Sequence, residues 1–130
     1  MTINEYQELA MRTNDGICNY RLFVASFDYE DNLNDQLKDL INPGELINGA
    51  LGLTGEAGEV SDMIKKHIFH GHDLDRDDLI KELGDVCWYV ALISRALGVN
   101  LEEVMSLNIE KLKNRYPEGF SEEASINRKA

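Results

Sequence analysis

Basic residues are scarce in this chain. Lys and Arg number 13 against 24 Asp and Glu, a formal charge of −11 over 130 residues. A field of that sign repels phosphodiester backbones and anionic lipid, which argues against direct binding to nucleic acid or to a membrane surface. Cysteine is nearly missing too. Cys18 and Cys87 lie far apart without C-x-x-C spacing, so neither a disulfide framework nor a thiolate zinc site is expected, and a reducing, cytoplasmic setting fits. Proline occurs twice, and both positions read as punctuation: Pro43 suits the first position of a helix and Pro117 the end of one. Long hydrophobic runs are absent. The longest, Val86 to Ile93, is eight residues, too short to span a bilayer, and the start Met1-Thr2-Ile3-Asn4-Glu5 is no secretory signal. Internal repeats, low-complexity tracts and strand-type alternation are missing as well.

What is present is enough to fold. With 43% hydrophobic and 28% charged residues, residues 1–130 are expected to form a single domain around one core, with residues 118–130 as a loose polar tail. Thr2 followed by Glu5 reads as a capping box opening a helix that runs to about Arg12, before Asn14-Asp15-Gly16 breaks it. From Ile17 to Asn32 no single period emerges, and a short helix is expected over about Leu33 to Ile41. A long helix follows over about Gly44 to Phe69, with Leu46, Ala50, Leu53, Ala57, Val60 and Ile64 as its core stripe. Asp75 caps a second long helix to about Leu97, with Leu79, Leu83, Val86, Val90, Ile93 and Leu97 as its stripe. Asn100 caps a last helix from Leu101 to about Tyr116. The fold class is therefore an all-α helical bundle, with the two long helices antiparallel across a short connection.

Acidic pairs stand on both long helices: Glu56-x-x-Glu59 on the first and Glu82-x-x-Asp85 on the second. Residues at i and i+3 are neighbours on a helix surface. At about 100° per residue, both pairs fall to the same angular side of their stripes, so in an antiparallel pair all four acids share one face. Counting back to the connection leaves the pairs about 7 Å out of level, at roughly 1.5 Å per residue. Two unit charges 5 Å apart at an effective dielectric of about 20 repel by on the order of 3 kcal/mol, so such a cluster calls for a partner. Hard oxygen donors without imidazole or thiolate suit Mg²⁺, with Mn²⁺ as a substitute. On spacing alone, an ordinary solvated acidic face accounts for the same residues, and a non-enzymatic acidic helical interaction module is the competing function.

Three further patterns accompany the acids. Gly49, Gly52, Gly55 and Gly58 recur on the first long helix at a combined propensity cost of about 3–4 kcal/mol relative to Ala, which close approach of another helix would offset. Asn108, Lys111 and Arg115 fall within about a 60° arc of the last helix, where cations beside an apolar stripe either bind phosphates or snorkel at a core edge. His67, His70 and His72 gather at a helix end, where imidazolium meets the negative end of the helix dipole.

These blocks together spell a familiar pattern. Gly52-Leu-Thr-Gly-Glu56-Ala-Gly-Glu59-Val, Lys65-Lys66, Lys81-Glu82-Leu-Gly-Asp85-Val with an aromatic two residues on, and Asn108-Ile-Glu-Lys111-Leu-Lys-Asn-Arg115-Tyr-Pro-Glu-Gly-Phe resemble the MazG-like nucleotide pyrophosphohydrolases over about residues 44–120. The resemblance implies an all-α enzyme that hydrolyses ribo- or deoxyribonucleoside triphosphates between the α- and β-phosphates, giving the monophosphate and pyrophosphate. It implies that Glu56, Glu59, Glu82 and Asp85 hold Mg²⁺, and that Asn108, Lys111 and Arg115 contact the substrate's phosphates. It also implies a homodimer or homotetramer. The residues point the same way, because Ile47, Leu51 and Phe69 lie opposite the stripe of the first long helix and Trp88 opposite that of the second, and a small monomer has little with which to cover them.

Overall fold

A computed structural model describes residues 1–26 and 42–128. Six helices stand among these residues: α1 (Ile3–Met11), α2 (Cys18–Ser26), α3 (Pro43–His70), α4 (Arg76–Ala96), α5 (Leu101–Arg115) and α6 (Glu122–Ile126). Local chemistry accounts for their ends. The Thr2–Glu5 capping box opens α1 as expected. The Asn42 side chain accepts from the Glu45 amide at 2.9 Å, and Pro43 takes the first turn, where its missing N–H costs nothing. Gly71 stops α3 in the left-handed conformation at φ 71°. Asp75, Asn100 and Ser121 cap the following three helices.

Two stretches in which no helix is expected carry one. Within the stretch from Ile17 that shows no period, Cys18–Ser26 is helical, with Asp15 Oδ1 accepting from the Ile17 amide at 3.1 Å just ahead of it. The expected loose tail carries α6, a single capped turn and a little more, with no buried residue. The helix expected over 33–41 lies outside the described residues.

The molecule is organised around the antiparallel α3–α4 hairpin, joined by residues 71–75 and held at its far end by the Asn42 amide donating to the Ala96 carbonyl at 3.1 Å. The buried face of α3 keeps only half of the expected stripe. Leu46, Leu53 and Val60 are half-buried, but Ala50, Ala57 and Ile64 are exposed, whereas the neighbouring row through Gly49, Gly52 and Glu56 is turned inward. Glycine is the reason: a side-chain carbon on Gly49 would run into Ile93 and one on Gly52 into the Tyr89 ring, so these two bare positions let α4 approach α3 closely. A stripe chosen by residue hydrophobicity passes over glycine.

On α4, Val86, Val90 and Ile93 of the expected stripe are half-buried, but Leu83 and Leu97 are exposed. The best buried residues, Ala91 and Leu92, join Met11 and Leu101 in the core because α1 crosses the other flank of the helix. Trp88, expected on an uncovered flank, is covered from within the chain. Its indole N–H donates to the Ala10 carbonyl at 3.0 Å and to the Thr13 hydroxyl at 2.7 Å. Gln7 fastens α1 in place. Its amide donates to the Ala91 and Val99 carbonyls, while its oxygen accepts from the Leu101 amide at 2.9 Å. Leu51 and Phe69 stay 70% and 75% exposed.

Candidate metal centre

The register of the hairpin builds the site. With Gly49 against Ile93 and Gly52 against Tyr89, one further turn toward the connection sets Glu56 opposite Asp85, and the next sets Glu59 opposite Glu82. The expected difference in level is thus removed by how the helices pair. Glu56, Glu82 and Asp85 each turn a carboxylate oxygen to one point, all within 4.8 Å of one another. Glu59 is exposed and stays outside this trio, although its charge is felt by Glu82. Three of the four expected acids therefore converge, with the fourth alongside.

The electrostatics match that crowding. The Glu82 carboxyl is held above the ordinary carboxylate value by partial desolvation, then by the neighbouring charges of Glu56, Asp85, Glu59 and Asp78. The phenol of Tyr6 is raised as well, by burial and by the adjacent Cys87 and Asp85. Three carboxylate oxygens at this spacing, with no sulfur or imidazole among them, form a donor set that fits a hard divalent cation and suits a thiophilic one poorly.

Two of the trio, Glu56 and Asp85, line a cavity of about 360 Å³ together with Thr13, Trp88 and Tyr89. Trp88 and Tyr89 meet edge to face at 5.0 Å between ring centroids. Thr13 and Tyr89 were not marked as site residues by the sequence. Tyr89 had a signal available, since it lies one turn beyond Asp85 on the same helix. Thr13 had none, because only the crossing of α1 over α4 brings it there.

The remaining candidates are placed elsewhere. Asn108 and Lys111 are exposed on α5, which buries only Leu101, and Arg115 is half-buried at its end with a buried Nε that has no hydrogen-bond partner. None of the three lines the cavity beside the carboxylates. Lys65 and Lys66 both turn to Asp62, at 3.4 and 2.6 Å. His67 Nδ1 lies 2.7 Å from the His72 carbonyl oxygen, and among the described residues the histidines join no group of converging donors.

Residues 47–120 match the model of the MazG nucleotide pyrophosphohydrolase domain. The chain belongs to this family. The match takes in α3, α4 and α5, hence all four acids as well as Asn108, Lys111 and Arg115, and the all-helical architecture is that of the family. Among curated proteins the chain is similar to "Gene 37 protein" of Mycobacterium phage L5, 40% identical over 82 residues that cover 60% of this chain and 72% of that one. No solved structure matches. Members of the MazG family usually use a divalent metal, with which the acidic trio agrees, and membership supports a pyrophosphohydrolase in general terms. Among the described residues no helix is long and apolar enough to cross a membrane.

Proposed function

We propose that this protein hydrolyses ribo- or deoxyribonucleoside triphosphates between the α- and β-phosphates, releasing the nucleoside monophosphate and pyrophosphate in a Mg²⁺-dependent reaction, with Mn²⁺ as a substitute. The observation that carries this reading is the meeting of Glu56, Glu82 and Asp85 within 4.8 Å, two of them lining a cavity, in a chain of this family. On this reading Glu56, Glu59, Glu82 and Asp85 are the metal and catalytic residues. Bound Mg²⁺ supplies positive charge for the phosphate oxygens and favours ionisation of water, chemistry that a protein of net charge −11 needs for an anionic substrate. Glu59, outside the trio, has a carboxylate free to accept a proton from the attacking water and to orient it for in-line attack on the α-phosphorus.

Asn108, Lys111 and Arg115 are assigned to the substrate's phosphates, where cations stabilise charge on the departing pyrophosphate. Their helix exposes Leu107 and Ile109, at 58% and 50%. Packing of that helix against a second copy, in a homodimer or homotetramer, gives those residues cover and carries Lys111 and Arg115 toward a set of acids. The free thiols of Cys18 and Cys87 suit a cytoplasmic location.

The test is incubation with a panel of ribo- and deoxyribonucleoside triphosphates and Mg²⁺, with products separated by ion exchange. Monophosphate and pyrophosphate are expected. Diphosphate and orthophosphate would assign the wrong bond, and no turnover of any triphosphate would favour the acidic interaction module.

A further inference from the structure

A second cavity, of about 550 Å³, opens between α1, the end of α4 and the turn into α5. It shares no lining residue with the cavity beside the carboxylates. The volume lies within the range of roughly 300–1,000 Å³ usual for small-molecule sites. Met11 and Val99 give it an apolar wall, while Arg12 of the α1 end and Arg95 of α4 bring two guanidinium groups to it. In a chain of 13 basic and 24 acidic residues, that pairing concentrates positive charge where the overall field is negative.

Arg95 is anchored from behind. Its Nε lies 3.6 Å from Glu45 Oε1, and Glu45 is 2% exposed, with Asn14 Nδ2 donating to the same oxygen at 2.7 Å. A buried carboxylate holds its cation firmly, so Glu45 fixes one edge of the guanidinium and leaves the Nη groups, on a side chain 49% exposed, to another acceptor. Arg12 is the uncompensated charge. Glu8 stands one turn before it, the spacing at which ion pairs form on a helix, yet among the described residues the Arg12 guanidinium makes no ion pair or hydrogen bond. The other polar groups of the wall are largely spent. The Gln7 amide is used on Ala91, Val99 and Leu101, and the Asn100 oxygen caps α5, so the two guanidinium groups and the Asn100 NH₂ group are the donors left for a ligand.

We propose that this cavity binds a small organic phosphate, with the phosphate oxygens on Arg12 and Arg95 and the organic part against Met11 and Val99. Guanidinium groups pair with phosphate through parallel N–H donors, which makes arginine the residue suited to such a group. A phosphate monoester carries about −1.5 to −2 charge at neutral pH, close to one charge for each guanidinium, and this favours it over a carboxylate. Glu8, the acid at the same cavity, opposes that charge and weakens binding. The proposal does not depend on the reading of the carboxylate centre, because the two cavities have no residue in common and this ligand needs no metal. Residues of α1 and α4 meet on one ligand, so its binding fastens α1 to the hairpin.

The test is isothermal titration calorimetry of the full chain with phenyl phosphate in EDTA, where the metal-free acids repel phosphate. One site per chain is expected, with inorganic phosphate and benzoate each about tenfold weaker or more, since the first lacks the apolar part and the second the double charge. Arg12→Gln is expected to weaken binding by about ten- to a hundredfold, the scale of one charge-assisted hydrogen bond. Its Tm without ligand should match the wild type, because that guanidinium makes no bond among the described residues. Glu8→Gln, which removes the opposing charge, is expected to tighten binding. Phenyl phosphate should also raise the Tm of the wild type and not that of Arg12→Gln. No binding to the wild type would overturn the proposal. Undiminished binding to Arg12→Gln would place the anion on other cations and overturn it as well, as would weaker binding to Glu8→Gln. Equal affinity for inorganic phosphate or benzoate would overturn the class of ligand assigned.

Discussion

The two ends of the α3–α4 hairpin are built on opposite terms. At the end remote from the connection, Gly44, Gly49 and Gly52 are each in close contact, with the α2 backbone at Cys18, with Ile93 and with Tyr89, and α1 covers the outer flank of α4 through Gln7, Met11 and Trp88. Toward the connection the same three-residue glycine rhythm continues at Gly55 and Gly58, and Gly84 faces them in sequence terms on α4, yet none has another group within 4 Å of where a side chain would start. Leu83 and Phe69 are exposed there. One motif thus serves two ends: in the packed half glycine admits a neighbouring element, and in the open half it leaves backbone bare beside the acids. The boundary between the halves is Glu56, and there the carboxylates converge.

The sharpest way to break this contrast is at the boundary itself. Asp85→Asn and Glu56→Gln are each expected to reduce turnover by roughly 10²–10³-fold, the scale of losing one preorganised charged group at a reaction centre. Because each removes a repelling charge, the metal-free variants should melt no lower than the wild type, and the rise in Tm with millimolar Mg²⁺ should shrink. Steady-state kinetics and melts with and without Mg²⁺ check both.

At the packed end, Gly44→Ala and Gly52→Ala are expected to destabilise the fold, because overpacking of about 1–3 kcal/mol exceeds the roughly 0.8–1 kcal/mol that alanine gains as a helix former. Gly44→Ala should be the worse of the two. Its new methyl meets the Cys18 and Asn19 backbone, which is held in place, whereas that of Gly52 meets the Tyr89 side chain, which can rotate. Urea denaturation gives the order.

At the open end, Gly55→Ala and Gly58→Ala meet nothing within 4 Å and are expected to stabilise by up to about 0.8–1 kcal/mol each. A loss in their place would put a second copy's backbone against this face. Melting at a series of dilutions separates the outcomes, and in the proposed oligomer the wild-type Tm should fall on dilution.

The smallest effect concerns pH. The Glu82 carboxyl is raised above 4.5 in the folded state, by desolvation and then by its acidic neighbours. A raised carboxylate destabilises the fold once ionised, so its contribution is nil below the unfolded value and grows as pH climbs through the folded one. The metal-free protein should lose stability as pH rises from the unfolded carboxyl value through the raised folded one and level off above it, and Glu82→Gln should remove part of that slope.

Much of this protein was settled by sequence alone. Caps at Thr2, Asn42, Asp75 and Asn100, the period of the long helices and the scarcity of proline depend on residues within a few positions of one another, so they define the helices without reference to the rest of the chain. The i, i+3 spacing of Glu56–Glu59 and Glu82–Asp85 likewise guaranteed two acidic pairs on two helix faces. Which face of α3 turns inward was decided by tertiary structure, because burial of Gly49 and Gly52 depends on the shapes of Ile93 and Tyr89, which lie on a different helix. The same packing set the register that gathers three acids and leaves Glu59 aside, and it brought α1 over Trp88, so that Thr13 lies beside carboxylates more than forty positions away in the sequence. Contacts of that range have no local period to announce them: they follow from which surfaces fit, and that is known only when both helices are in place.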